Sequence, residues 1–311
     1  RDRLRSRGLG DVYKRQVNFK LRNYDWRISM PKKAETYVVG NFKGGVGKST
    51  TVQMLSFESA FRKDRKTLVI DLDPQGNTSD VLSLTAENFG NDTLPDEFDA
   101  TIWEAVRSGD IQSSIYQIIP NLDLIPANIS FSDFPDYMIE KYPGDKLSQF
   151  KYMEELIEPL KSIYDVIYID VPPTISTYSN AAMYVAEYVI VILQTQVKSL
   201  KGAQNYIDYM NFFIEQYETD LEVVGIVPFM MQKRDSVDQE IYTAAREIYG
   251  AHLLDTVVLN QSRLKRYDGS GITYEINKNG KVEQWDKRAH EVFVNILDEI
   301  DEHRLILSGE E

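Results

Sequence analysis

Residues 41–50 read NFKGGVGKST and follow a short apolar run, Tyr37-Val38-Val39. Gly44, Gly45 and Gly47 let a backbone curl with its N–H groups turned inward, forming an anion nest that runs into a helix N-terminus. Lys48 stands where it can reach the β- and γ-phosphates of a nucleotide, and the Ser49 hydroxyl where it can bind Mg²⁺. Val46 and Thr50 complete the stretch that would wrap the phosphates. The ordinary spacing G-x-x-x-x-G-K-S is broken, because Phe42 occupies its first glycine position. What stands instead is K-G-G-x-G-K-S, with a second lysine, Lys43, at the loop entrance.

Outward from this loop, short apolar runs alternate with longer amphipathic stretches. Candidate strands are Thr36–Val39, Thr67–Asp71, Leu122–Pro126, Tyr164–Asp170, Tyr188–Leu193 and Glu222–Val227. Several carry Val and Ile on consecutive positions, as strands buried on both faces do. Helices are expected over Ser49–Phe61, Lys151–Leu160, Leu200–Phe213 and Glu283–Leu305. In the third, Leu200, Ala203, Ile207 and Met210 recur at helical spacing. Thr85–Phe98, acidic and turn-rich, reads as a surface excursion. The alternation implies a single α/β domain built on a doubly wound, mainly parallel sheet flanked by helices.

Two further segments end strands in acid. LVIDLDPQGNTS (68–79) holds Asp71 and Asp73 two residues apart, which on an extended chain point the same way. YDVIYIDVPPT (164–174) ends its apolar run in Asp170. Acid at the C-terminal end of parallel strands lies where α/β sheets bind ligands. Asp170 there fits a carboxylate that holds a Mg²⁺-bound water.

Composition narrows the alternatives. The 311 residues include no cysteine, which removes disulfides, thiolate metal sites and iron–sulfur clusters together. This fits a reducing cytoplasm. No apolar run approaches the roughly 20 residues of a membrane-spanning helix. His252, His290 and His303 adjoin no motif and read as structural or surface residues. DVYKRQ (11–16) resembles the translation of a sequencing-library adapter end, so residues 1–29 are expected to be upstream read-through, with Met30 as the natural start. The other reading is a basic disordered arm. Those residues carry nine Lys/Arg and three Asp/Glu, so the chain's formal charge of −13 becomes −19 for residues 30–311. A chain this acidic repels nucleic acid on average, and any DNA contact needs a local basic patch.

The K-G-G-x-G-K-S loop, the D-x-D-P-Q-G-N run at Asp71–Asn77 and the D-x-P-P run at Asp170–Pro173 together resemble the deviant Walker A ATPases of the ParA/MinD class. The likeness spans Glu35–Leu305 and is strongest to small plasmid-partition ParA proteins of Gram-positive bacteria. It implies a P-loop NTPase fold of the SIMIBI type and a homodimer closed around two ATP–Mg²⁺. Lys43 would reach the partner's phosphates, Asp73 would orient or deprotonate the attacking water, and Asp71 would help organise Mg²⁺ without contacting it. The base would lie against Pro228–Met231, with Pro228 and Met230 foremost, and near Leu259–Asn260. Nonspecific DNA binding would use Lys233, Arg234, Arg263, Lys265 and Arg266, and a ParB-like or ribbon-helix-helix centromere-binding adaptor would stimulate hydrolysis. The resemblance thus implies a cytoplasmic, nucleoid-associated partition ATPase. About a dozen residues between Met30 and the loop leave no room for an N-terminal helix-turn-helix. Relatives with bridging cysteines, a basic membrane helix or a tyrosine-rich tail do not fit this chain. The alternative is a ParA-like ATPase that positions a non-DNA cargo or regulates cellulose synthesis.

Overall fold

The computed structural model describes residues 33–195, 199–232, 235–276 and 278–309. The expectations for residues 1–29 and for Lys233 and Arg234 lie outside these. Eight strands form one sheet: β1 (Glu35–Gly40), β2 (Thr67–Asp71), β3 (Tyr116–Ile119), β4 (Leu122–Ile125), β5 (Val166–Asp170), β6 (Tyr188–Gln194), β7 (Glu222–Met231) and β8 (Val258–Leu259). Their order is β3-β4-β2-β5-β1-β6-β7-β8, parallel throughout except for β3 against β4.

Consecutive apolar residues are explained by two cores, one on each face of the sheet. Val38, Ile167, Ile169, Val189 and Val191 enter one core. Their neighbours Tyr37, Val39, Val166, Tyr168, Ile190 and Ile192 enter the other, as the period-2 alternation of a strand requires. On the first face lie α3 (Ile102–Ser108), α4 (Phe134–Lys141), α5 (Lys146–Ile157), α6 (Thr177–Val185), α7 (Ser199–Tyr217) and α8 (Ser236–Tyr249). On the second lie α1 (Lys48–Phe61), α2 (Asn77–Asn88), α9 (Ser262–Ser270) and α10 (Gln284–Ser308). Each fully buried Phe or Leu in these layers contributes about 1.5–3 kcal/mol of transfer free energy.

α1 is buried almost all round, because α10 and α2 cover the side that the sheet does not. Among the described residues its buried polar side chains accordingly find partners, with Glu58 Oε2 the exception. Ser59 shares a hydrogen bond with the Tyr168 hydroxyl at 2.9 Å, and Gln53 Nε2 donates to Thr78 Oγ1 at 3.2 Å. Glu58 pairs with His290, whose Nε2 lies 2.8 Å from the Thr273 carbonyl. His290 is therefore a core residue.

Elsewhere the fold departs from the sequence reading in definable ways. β7 continues four residues past Val227, and β3 and β8 are additional short strands. α5 begins five residues before Lys151 and gives way to a 3₁₀ turn at Glu158–Ser162, where Pro159 cannot donate to a continuing helix. Thr85–Asn88 belongs to α2, so the surface excursion begins later than expected.

One close approach anchors the end of β1. A Cβ on Gly40 would lie 1.8 Å from the Tyr206 hydroxyl and 2.2 Å from Cζ of that ring. The hydroxyl is buried and has no hydrogen-bond partner among the described residues. Gly40→Ala is expected to lower stability by about 1–3 kcal/mol or more through overpacking. Tyr206→Phe should leave it unchanged or raise it by up to about 1 kcal/mol, since an unpaired buried group is removed. Urea unfolding midpoints of the two variants check this pair.

Candidate functional site

The C-terminal ends of β1, β2, β5, β6 and β7 converge on the glycine-rich loop. Gly45 (φ +68°) and Gly47 (φ +101°) take the left-handed backbone that glycine alone adopts without cost. Gly47 has a second reason to lack a side chain: a Cβ there would meet the Phe229 ring at 2.2 Å. Gly44 faces Pro173 across an ordinary contact distance, so the loop lies beside the Asp170–Pro173 segment. The first turn of α1 contains no acid and its N-cap makes no side-chain bond. Its backbone N–H groups thus remain for an anion, favoured by the helix dipole. Val46 is buried and Thr50 half-buried in this turn.

Lys48 is 6% exposed. Its ammonium donates to the Lys43 carbonyl at 3.2 Å. Burial lowers its pKa, and the nearby charges of Asp170 and Asp73 oppose that. The two strand-end carboxylates stand side by side, because Asp71 of β2 and Asp170 of β5 are register partners. Both are buried. Burial, and then the like charge of Asp170, push the Asp71 carboxyl up to about 8. Three bonds favour its ionised form: from the Asp73 amide (3.0 Å), the Ser79 amide (3.0 Å) and the Ser79 hydroxyl (2.8 Å). Burial also raises Asp170, while the Thr78 and Ser49 hydroxyls and the Lys48 ammonium pull it back.

Asp170 Oδ2 accepts from Thr78 Oγ1 at 2.6 Å, but Oδ1 is buried with no hydrogen-bond partner among the described residues. An orphaned carboxylate oxygen beside a serine hydroxyl, with no softer donor, suits a hard cation that keeps most of its ligands as waters and phosphate oxygens. Among the described residues no cluster of three or more His, Cys, Asp or Glu could form an all-protein metal cage. Asp73 is half-buried. Its Oδ1 accepts from the Gln75 amide and its carbonyl from the Gly76 amide, a turn that sets the carboxylate at the mouth of the site.

On the other flank, Lys43 donates from Nζ to Gln194 Oε1 at 2.9 Å. Pro228 is buried within β7 opposite Leu193, and Met230 follows half-buried. These candidate base-side residues therefore belong to the strand itself, whereas the sequence reading ended it at Val227. Leu259 is exposed, and the Asn260 amide binds the Met231 carbonyl.

Thr78, Ser79 and Gln194 were not singled out from the sequence. Thr78 and Ser79 follow the D-x-D-P-Q-G-N run directly, and an N-terminal helix turn after an acidic strand end was the available signal. Of the basic residues, Lys265 and Arg266 are exposed on α9. Arg263 is not part of such a surface. It pairs with buried Asp286, donates to Thr273 Oγ1 and Glu275 Oε1 at 2.8 Å each, and so ties α9 to α10. No helix among the described residues is long and apolar enough to cross a membrane.

Comparison with known proteins accords with this geometry. Residues 34–223 match the family described as an AAA domain, and the chain belongs to that family, within the ParA/MinD-type P-loop ATPases. The chain is 27% identical over 247 residues to the chromosome partitioning protein ParA of Myxococcus xanthus, covering 78% of this chain and 82% of the relative. Two solved structures share the fold. The apo McdA structure from Cyanothece superposes with a TM-score of 0.68 at 19% identity, over 87% of this chain and 99% of its own. A plasmid partition protein from Borrelia burgdorferi, bound to AMPPNP, superposes with a TM-score of 0.66 at 21% identity, over 86% and 99%.

The Asp71 proton has a measurable consequence. The folded state keeps it up to about pH 8, whereas the unfolded chain releases it near the ordinary 3.8. This carboxyl therefore contributes stability that is complete below about pH 4 and fades as pH rises to about 8. In nucleotide-free protein, Asp71→Asn is expected to flatten the fall in urea midpoint between pH 5 and 8; an unchanged slope would remove Asp71 as its source.

Proposed function

We propose that this ATPase closes as a dimer around two ATP–Mg²⁺, coats DNA nonspecifically in that form, and partitions DNA by adaptor-stimulated hydrolysis. The observation that carries the reading is the buried charge set: among the described residues Lys48 has no ion-pair partner at hydrogen-bond distance, and Asp170 Oδ1 has no hydrogen-bond partner. A triphosphate with its cation satisfies both. Lys48 and the loop amides bind the β- and γ-phosphates, Ser49 binds the cation, and Asp170 holds a water bound to it, with Asp71 orienting the ligands around it. Mg²⁺, when bound, neutralises charge on the phosphates. Asp73 orients or deprotonates the attacking water. Lys43 serves the partner's phosphates as an arginine finger does in other phosphoryl-transfer enzymes. Pro228 and Met230 flank the base.

Slow intrinsic turnover is expected, because one chain alone does not complete the water-orienting set. The partner that completes it is a ParB-like or ribbon-helix-helix centromere-binding adaptor. DNA contacts fall to Lys265 and Arg266, with Lys233 and Arg234. The likeness to proteins named for chromosome and plasmid partition supports this cytoplasmic, nucleoid-associated role.

Lys48→Ala should abolish nucleotide binding, and Lys43→Ala should keep binding but lose ATP-dependent dimerisation. Asp73→Ala should trap the dimer, and rapid turnover by that variant would exclude Asp73 as the catalytic carboxylate. Equilibrium binding of a fluorescent ATP analogue, light scattering and phosphate release read these three outcomes. Charge reversal at Lys265 and Arg266 should weaken DNA binding at least about tenfold near 0.1 M salt and flatten its salt dependence. Indifference of DNA binding to the reversal would favour positioning of a non-DNA cargo or regulation of cellulose synthesis.

A further inference from the structure

Across the tops of β1, β6 and β7, four side chains make one connected line. Asn41 begins it by joining the loop entrance to β6: Nδ2 donates to the Ile192 carbonyl (2.7 Å) and Oδ1 accepts the Lys43 amide (2.9 Å). The Lys43 ammonium then donates to Oε1 of Gln194, the last residue of β6, at 2.9 Å. Gln194 is buried, and its Nε2 faces the Met230 sulfur at 3.6 Å. Met230 holds φ +59°, a left-handed backbone that a long side chain adopts only where its surroundings impose it.

We infer that Gln194 is a positioning residue for Lys43, holding the ammonium inside its own protomer until a nucleotide-bearing partner arrives. This rests on the reading of Lys43 as the lysine offered to the partner's phosphates. The choice of an amide is what makes the hold releasable. A neutral carbonyl oxygen orients an ammonium through a charge-assisted bond without neutralising it. A carboxylate in this buried position would form an ion pair and compete with triphosphate for the lysine. An aliphatic residue would leave the ammonium with no acceptor on β6. A triphosphate, with several anionic oxygens, displaces an amide. At the far end of the line, Met230 belongs to the stretch read as the base side. Base seating and lysine release therefore share the Gln194 side chain between them.

The test is sedimentation equilibrium of the full chain against a nonhydrolysable ATP analogue with Mg²⁺, comparing wild type, Gln194→Ala and Gln194→Glu. Loss of the acceptor should lower the analogue concentration for half-maximal dimer about three- to tenfold, and the carboxylate should raise it about tenfold, the scale of one net hydrogen bond. General damage to the fold moves both variants in the same direction, so opposite signs identify positioning. Gln194→Met, which keeps the volume but not the acceptor oxygen, must follow Gln194→Ala. Binding of a fluorescent ATP analogue to dilute protein separates nucleotide affinity from dimerisation. Variants that coincide with wild type, or shift together, overturn the inference and leave the wild-type dimer standing. A wild-type chain that stays monomeric overturns the proposed dimer and this inference with it.

Discussion

Two carboxylates and an ammonium are buried together at the top of the sheet, and among the described residues no ion pair at hydrogen-bond distance closes the set. Burying like charges beside each other is costly, and the sheet imposes it, because Asp71 and Asp170 are register partners on adjacent parallel strands. The surrounding hydroxyls and amides stabilise the arrangement only in part. Ser79 and Thr78 each serve one carboxylate, yet Asp170 Oδ1 stays unsatisfied and the Asp71 proton is retained to about pH 8. A site that holds its groups this way is built for charges brought from outside: a cation for the carboxylates and an anion for the lysine.

The rest of the architecture keeps that set rigid. α1 carries the loop into the core and is covered on both sides, so the phosphate-facing turn cannot shift without disturbing Phe57, Tyr168 and the Glu58–His290 pair. α2 follows its cap residue Gly76 and delivers Thr78 and Ser79 to the carboxylates within its first turn. Arg263 has been drawn into this scaffold: by pairing with Asp286 it fixes α9 against α10 and leaves Lys265 and Arg266 outward.

The parts legible in the sequence were those with local causes. Glycines that need positive φ, a lysine-serine pair after a strand, and acids ending apolar runs all follow from short-range geometry, and the central strands announced themselves by being apolar on both faces. β3 and β8 escaped because β3 is apolar and buried only at Ile118 and Ile119, and β8 is two residues long, so neither carries enough pattern. β7 was cut short at Pro228, a residue usually confined to sheet edges and bulges. Thr78, Ser79 and Gln194 acquire their tasks only when distant strands meet. Arg263 read as a surface cation because its partner Asp286 lies 23 residues away, on another helix.

The central claim is that this charge set is completed by a triphosphate shared between two chains. A crystal structure of the protein grown with a nonhydrolysable ATP analogue and Mg²⁺ tests it most directly. The account predicts two protomers face to face, Lys43 withdrawn from Gln194 and within hydrogen-bond distance of the partner's nucleotide, and Asp170 turned to the cation's ligands. A lone protomer with nucleotide bound and Lys43 still on Gln194 would contradict it.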